Sequence, residues 1–235
     1  KQIFLLEVPI VPSPLNLALD GRNLTRPISG INRYISESVL ALSAENIQIN
    51  ILHHQPVHPD FIDYLNARNI TFHKTSTRFS FPRYIQTKAD VFWGPAHRFP
   101  MNFPKNIPAV TTIHDLIWKK FANTMNKRTY LGECLFFVQT LKRADKIICV
   151  SHSTAYDLKQ YFPHYANKID VVYLGAHRPA SQPQHKGKPF ALFVGTMEPR
   201  KNLNRLIDAY AAMPHKHQLD LVIVGGVGWG NINPE

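Results

Sequence analysis

No apolar run in these 235 residues approaches the roughly 20 that a membrane-crossing helix needs. The stretch IFLLEVPIV at 3–11 is apolar but short. It carries Glu7 and Pro9 and lacks the basic lead and small-residue cleavage site of a secretory leader, so it reads as an extended segment packed on the body. Cysteine is scarce: Cys134 falls in a helical pattern and Cys149 in an apolar strand. Two cysteines do not make the disulfide scaffold of a small secreted domain, so both read as buried, reduced thiols, which favours the cytoplasm. The 12 histidines are scattered, with no Cys/His spacing of zinc type. There is no D-x-D pair, and no metal is expected. No G-x-S-x-G elbow and no P-loop appears, which removes the common serine-hydrolase and NTPase readings. The glycine cluster VGGVGWG at 224–230 does not reproduce G-x-G-x-x-G, which removes a dinucleotide dehydrogenase.

Acid is scarce as well: 16 Asp and Glu stand against 27 Lys and Arg, a formal charge of +11. Basic residues recur at Arg22, Arg26 and Arg33, Lys119-Lys120, Lys127-Arg128 and Lys142-Arg143, and most of these positions read as solvated surface. The rest suits an anionic partner, a nucleoside diphosphate or an acidic lipid surface. No nucleic-acid-binding module is recognisable, and no nucleic acid is expected.

What is present is an ordinary globular composition, 44% hydrophobic and 18% charged. Strand-like runs at 15–20, 47–53, 70–73, 90–93, 109–113, 146–150 and 169–174 alternate with helical patterns at 31–44, 60–68, 128–143 and 151–162. Such alternation predicts an α/β fold, a doubly wound parallel sheet with helices on both faces. Composition shifts at GAHRPASQPQHKGKP, 175–189, an exposed linker. The expected plan is a doubly wound domain over 1–175, a linker over 176–189, and one β-α-β unit over 190–235, too small to bury a core by itself.

That last unit carries the sharpest chemistry. Phe190 to Val194 is a strand that stops at Gly195. Thr196, Arg200 and Lys201 follow, then a helical face of Leu203, Leu206, Ile207 and Tyr210, then a second strand, 219–224, ending at Gly225-Gly226. A glycine, two cations and a helix N-terminus at the carboxyl edge of a strand suit a phosphate or diphosphate.

Other positions stand at equivalent edges. Asp20 ends the first strand, Gly30 precedes the next helix and Arg33 lies in its first turn; Gly30 reads either as a close backbone approach to a ligand or as a plain spacer. His114 and Asp115 follow a buried strand, where a histidine touches a substrate hydroxyl or phosphate, or is a satisfied structural residue. His97 in GPAH, 94–97, faces the same choice. Ser151 and Ser153 border the cleft but read first as helix caps.

Taken in order, DGRN with SGINRY, TTIHDLIW, ADKIICVSHSTAYDL, KIDVVYLG, and FVGTMEPRKNLNRLIDAY with LVIVGG resemble the retaining nucleotide-sugar glycosyltransferases of the GT-B fold. The nearest subset is the bacterial mannosyltransferase-like enzymes of lipopolysaccharide and capsule assembly. The resemblance implies two Rossmann-like domains across a cleft, the first for the acceptor and the second for the donor. Gly30 matches a glycine near the donor phosphates, and His114, with Asp115 beside it, the cleft histidine on the donor sugar. Gly195, Arg200 and Lys201 match the glycine and basic pair of the diphosphate site. Thr196 stands where many relatives carry arginine, which makes Arg200 the candidate substitute. Arg33, His97 and Ser151 fall on the acceptor side. The family's glutamate pair would follow this stretch, so the chain reads as the first domain plus the start of the second, inactive alone. The implied reaction needs no cofactor. It transfers a hexose, with retention, from GDP-mannose or a UDP-sugar to a saccharide or lipid-linked saccharide. The implied location is the cytoplasm, peripheral on the inner face of the membrane. The rival readings are a related epimerase or phosphorylase and a non-catalytic sugar-nucleotide-binding module.

Overall fold

The computed structural model describes residues 13–27, 29–125, 127–176, 187–215 and 218–228. The expected extended segment at 3–11 and most of the expected linker lie outside them. The chain divides into two compact units, one of residues 1–116 and 128–175, the other of 117–127 and 176–235.

The first unit is a seven-stranded parallel sheet. Its strands are β1 (Leu15–Asp20), β2 (Ile47–His53), β3 (Ile70–Lys74), β4 (Val91–Gly94), β5 (Ala109–Ile113), β6 (Lys146–Cys149) and β7 (Ile169–Val171), in the spatial order β3-β2-β1-β4-β5-β6-β7. The central strands are buried on both faces, which is why they read as near-continuous apolar runs. The chain runs outward from β1 to β3, then returns to the other side of β1 and runs outward again from β4 to β7. The reversal between β1 and β4 is the switch point where ligands of open α/β sheets bind, beyond the carboxyl ends of the strands.

Helix α1 (Gly30–Leu42) starts at Ser29, whose hydroxyl accepts from the Asn32 amide, and lays Ile35 and Val39 on Leu17, Leu19, Ile49 and Ile51. Helix α2 (Pro59–Tyr64) joins the same cluster through Phe61. It is shorter than the helix expected to Arg68. Leu65 leaves helical geometry, and the Asn69 amide ties Ser43 O and Ile47 O (both 2.9 Å), forcing the turn into β3. Helix α3 (Phe81–Lys88) was not foreseen. Only Phe81 and Ile85 of its residues are buried, too thin a stripe to reveal a helix in sequence; they pack with Ala18, Leu52 and Phe92 in a separate cluster. Helix α4 (Ile117–Lys120) falls in the second unit, while α5 (Lys127–Arg143), from its second residue on, and α6 (His152–Tyr161) belong to the first. Strand β7 stops at Val171, short of the expected Leu174, and residues 172–174 are exposed. Both cysteines are free thiols, but only Cys149 is buried; Cys134 lies on the solvent face of α5, which corrects the expectation of two buried thiols. Burial pushes the Cys149 thiol up to about 12. No helix among the described residues is long and apolar enough to cross a membrane.

In the second unit, β8 (Phe190–Val194) and β9 (Asp220–Val224) form a parallel pair joined through α7 (Leu203–Ala211). The pairing continues past the strand ends: Gly195 N donates to Val224 O (2.9 Å) and Met197 N to Gly226 O (3.0 Å). This close approach accounts for the glycine cluster. A Cβ on Gly225 would lie 1.9 Å from Gly195 O, and one on Gly228 2.2 Å from Met197 O. Backbone cannot swing aside, so Gly225→Ala should cost about 3 kcal/mol or more. Amide hydrogen exchange of the intact protein checks this: protection should be lost in β8 and β9 and kept in β1 to β6.

Candidate active site

At the carboxyl edge of β4 and β5, side chains from three elements meet. Trp93 Nε1 donates to Thr112 Oγ1 (3.0 Å), and Tyr34 of α1 shares a hydrogen bond with the same oxygen (3.1 Å). The Tyr34 ring stands edge-on to Trp93 (centroids 5.9 Å) and to His114 (4.9 Å). Burial raises the Tyr34 phenol above its ordinary value, so it is a neutral hydroxyl at physiological pH.

His114 is the residue just past β5. Its Nε2 is 2.8 Å from Pro95 O. A carbonyl oxygen only accepts, so Nε2 carries the hydrogen. Burial lowers the His114 pKa; the bond to Pro95 and nearby Asp115 oppose this, and His97 adds to it. The ring is therefore neutral at pH 7 with the lone pair on Nδ1, a hydrogen-bond acceptor. Its main chain is fixed too: Thr154 Oγ1 donates to His114 O (3.0 Å), and Thr154 is held by Ser151 (3.0 Å between hydroxyl oxygens). Ser151 caps α6, accepting from Thr154 N (3.1 Å), as a capping serine should, and it reaches His114 through Thr154.

His97 sits on the turn after β4 with φ of 34°, in the left-handed region, its N–H donating to Thr112 O (3.1 Å). The preceding glycine has a packing reason: a Cβ on Gly94 would meet the Phe99 ring at 2.7 Å. His97 Nε2 lies 3.0 Å from Glu133 Oε2, and Arg98 pairs with the other oxygen of the same carboxylate. Glu133 is buried on the inner face of α5. Burial pulls its carboxyl upward, but His97 and Arg98 together outweigh that and hold it below the usual range. The Arg98 carbonyl in turn accepts from Arg22 Nη2 (3.2 Å), whose guanidinium forks onto buried Asp20 at the end of β1. Arg22 is thus fixed, not the solvated surface charge expected. The sequence reading missed Glu133, Tyr34, Trp93 and Thr112. A lone acid at helical spacing from Phe137, Thr140 and Leu141 was the available signal for Glu133.

The other first-unit candidates do not join this cluster. Gly30 opens α1 with no atom within 4 Å of a would-be Cβ, so the fold does not demand glycine there. Arg33 is exposed, 3.8 Å from Glu37. Asp115 is exposed beside His114.

Gly195, Thr196, Arg200 and Lys201 belong to the second unit, at the carboxyl end of β8. A 3₁₀ turn over Pro199–Lys201 leads to Asn202, which opens α7 with φ of 54°. The buried Glu198 carboxylate pairs with Arg200. Lys201 has no carboxylate partner among the described residues, and its Cε lies 3.9 Å from where a Cβ on Gly195 would stand, so it lies back over the glycine turn. No group of three His, Cys, Asp or Glu side chains able to hold a metal occurs among the described residues.

This order of elements agrees with a known family. The family model of Glycosyltransferase Family 4 matches residues 28–177, most of the chain. The chain belongs to that family. A second family model, Glycosyl transferases group 1, takes over at residues 177–232. The α/β architecture and the succession of the two glycosyltransferase models are what the GT-B resemblance implies. Two Escherichia coli relatives of this family-4 chain are an O-antigen chain mannosyltransferase B, 26% identical over 155 residues (59% of the chain), and the serotype-specific mannosyltransferase WbdA, 29% identical over 149 residues (54%). The matched parts span 39% and 18% of those proteins' own lengths. A solved glycotransferase of kitacinnamycin aligns over 95% of the chain and 70% of its own, with 13% identity and a TM-score of 0.43.

Proposed function

We propose that the intact protein is a retaining glycosyltransferase that moves a hexose, mannose from GDP-mannose, onto a saccharide or lipid-linked saccharide in cell-surface polysaccharide assembly, without a metal. The observation that carries this reading is the imidazole of His114 at the carboxyl edge of β5, the strand next to the switch point of a family-4 sheet. Its Nε2–H is spent on Pro95 O, which leaves Nδ1 to accept. An acceptor nitrogen suits a sugar hydroxyl better than a phosphate. It therefore fits the sugar end of a donor. Within the second unit, the turn at Gly195 with Lys201 over it suits a diphosphate. The bond between the anomeric carbon and the phosphate oxygen breaks, an acceptor hydroxyl attacks on the same face, and its proton passes to the departing phosphate. Charge builds on that phosphate as the bond breaks, before the proton arrives, and a cation beside backbone N–H groups stabilises it. The mannosyl relatives support the choice of sugar.

Calorimetric titration of the intact protein with GDP-mannose and with UDP-sugars tests the reading. Binding of GDP-mannose with turnover onto an acceptor supports it. Binding of neither nucleotide favours a non-catalytic module. His114→Ala should lower kcat/KM by about 10- to 100-fold, the worth of one or two hydrogen bonds to the reacting sugar. Unchanged kcat/KM would remove His114 from the site.

A further inference from the structure

We infer that Arg22 and Glu133 are positioning residues for His114, acting from two flanks on the turn that carries the Pro95 carbonyl. That carbonyl takes the His114 Nε2–H (2.8 Å), which sets the direction of the ring and leaves Nδ1 to accept. It can do so only while the turn keeps its place. Connections are by default the mobile parts of a fold. This one also holds His97 in the left-handed region, with φ of 34°. A residue other than glycine keeps such a conformation where its surroundings over-determine it.

The surroundings here come from two elements. On the β1 side, Arg22 Nε donates to both carboxylate oxygens of Asp20 (2.8 Å each), and Nη2 reaches on to the Arg98 carbonyl (3.2 Å). On the α5 side, one oxygen of Glu133 pairs with the Arg98 guanidinium, and the other lies 3.0 Å from His97 Nε2. Two helical turns further along α5, Thr140 Oγ1 accepts from the Phe99 amide (3.1 Å). Arg98 is thus gripped twice, by its carbonyl from β1 and by its side chain from α5. Asp20 and Glu133 are both buried, where a carboxylate that loses its partner is costly, so each grip resists letting go. What the two grips add is a fixed place for one carbonyl, beside the switch point. The kinetic consequence rests on the proposed contact of His114 with the donor sugar; the spectroscopic one does not.

Two variants of the intact protein separate charge from geometry. Arg22→Lys keeps a cation on Asp20 but lacks the planar fork that also reaches the Arg98 carbonyl. Glu133→Gln keeps the shape and loses the charge. Without nucleotide, the His114 Nε2–H should give a protected imidazole signal in proton NMR, assigned by its absence from His114→Ala. That signal should vanish or broaden in both variants. It should persist in Leu65→Ala, a core substitution at the end of α2 that lowers the melting temperature. With GDP-mannose, both variants should lower kcat/KM about 5- to 20-fold. Neither should lower it further in a His114→Ala background, because a residue that acts through His114 then has nothing left to act on.

Additive losses in those double variants overturn the inference and assign the effect to stability or to His97. A retained imidazole signal in both variants overturns it, and so does signal loss with unchanged kcat/KM. If neither variant folds, hydrogen exchange of the wild type decides. The His97 and Phe99 amides should then exchange as slowly as those of β4 and β5, and fast exchange overturns the inference. Signal loss in a protein that binds no sugar nucleotide supports the two grips and sinks the transfer reading. Retained signals beside full wild-type turnover of GDP-mannose sink the grips alone.

Discussion

Under the proposed transfer, Lys201→Ala in the intact protein is expected to lower kcat by about 10²- to 10³-fold, the cost of losing one preorganised charge at a developing anion. KM should change little, because the charge on the leaving diphosphate is greatest in the transition state. The expectation rests on a contrast between neighbours. Arg200 is bound by the buried carboxylate of Glu198, so much of its charge is already answered. Lys201 has no carboxylate partner among the described residues and lies over the Gly195 turn. Arg200→Ala should therefore appear first as lost stability of the second unit, since it strands a buried carboxylate. Lys201→Ala should appear as lost turnover with an unchanged melting temperature. Steady-state kinetics and thermal denaturation of the two variants separate these outcomes. Full turnover by Lys201→Ala would move the diphosphate site elsewhere.

Glu133→Leu should cost about 2–4 kcal/mol, the range for breaking a buried ion pair, reduced here because Arg98 is partly exposed. The substitution leaves Arg98 and His97 facing an apolar group. It also carries a signature in acid. The Glu133 carboxyl is held below its ordinary value of 4.5, so its stabilisation is complete above that value and is lost as pH falls through the folded value. His114 and His73 act higher on the scale. Burial lowers both from 6.5, so the unfolded chain takes up their protons first, and stability declines as pH falls below about 6.5. Urea midpoints measured against pH should show two declines in the wild type. The lower one should shrink in Glu133→Leu, with Asp90, also held low by its bonds from Asn16, left to supply the remainder, and the upper one should be retained. A variant whose lower decline is undiminished would show that the Glu133 cluster is not a source of it.

The parts of the fold that could be read directly were those bounded by a change of residue type. Strands β5 and β8 were bounded to the residue, because each is a run of β-branched or apolar residues that stops at a histidine or a glycine. Ser151 was read as a cap and is one. What escaped was set by tertiary contact. Phe81 and Ile85 are two apolar residues among polar ones, and only the sheet beneath them makes α3 a helix worth forming. Arg22 resembles any surface arginine until Asp20, two residues away, is seen to hold it. Cys134 and Glu133 are adjacent in α5, yet the thiol is outside and the carboxylate inside. A helical phase shifted by one residue exchanges them. His114 could be singled out from its place after a strand. Its protonation state could not, because Pro95 O lies 19 positions away in the chain.

Helix α5 turns leucines outward and one carboxylate inward, to Arg98 and His97. Sliding α5 by a single residue would carry that carboxylate away from the turn after β4. The fit of one helix against one loop, more than the sheet itself, then sets where the His97 ring stands.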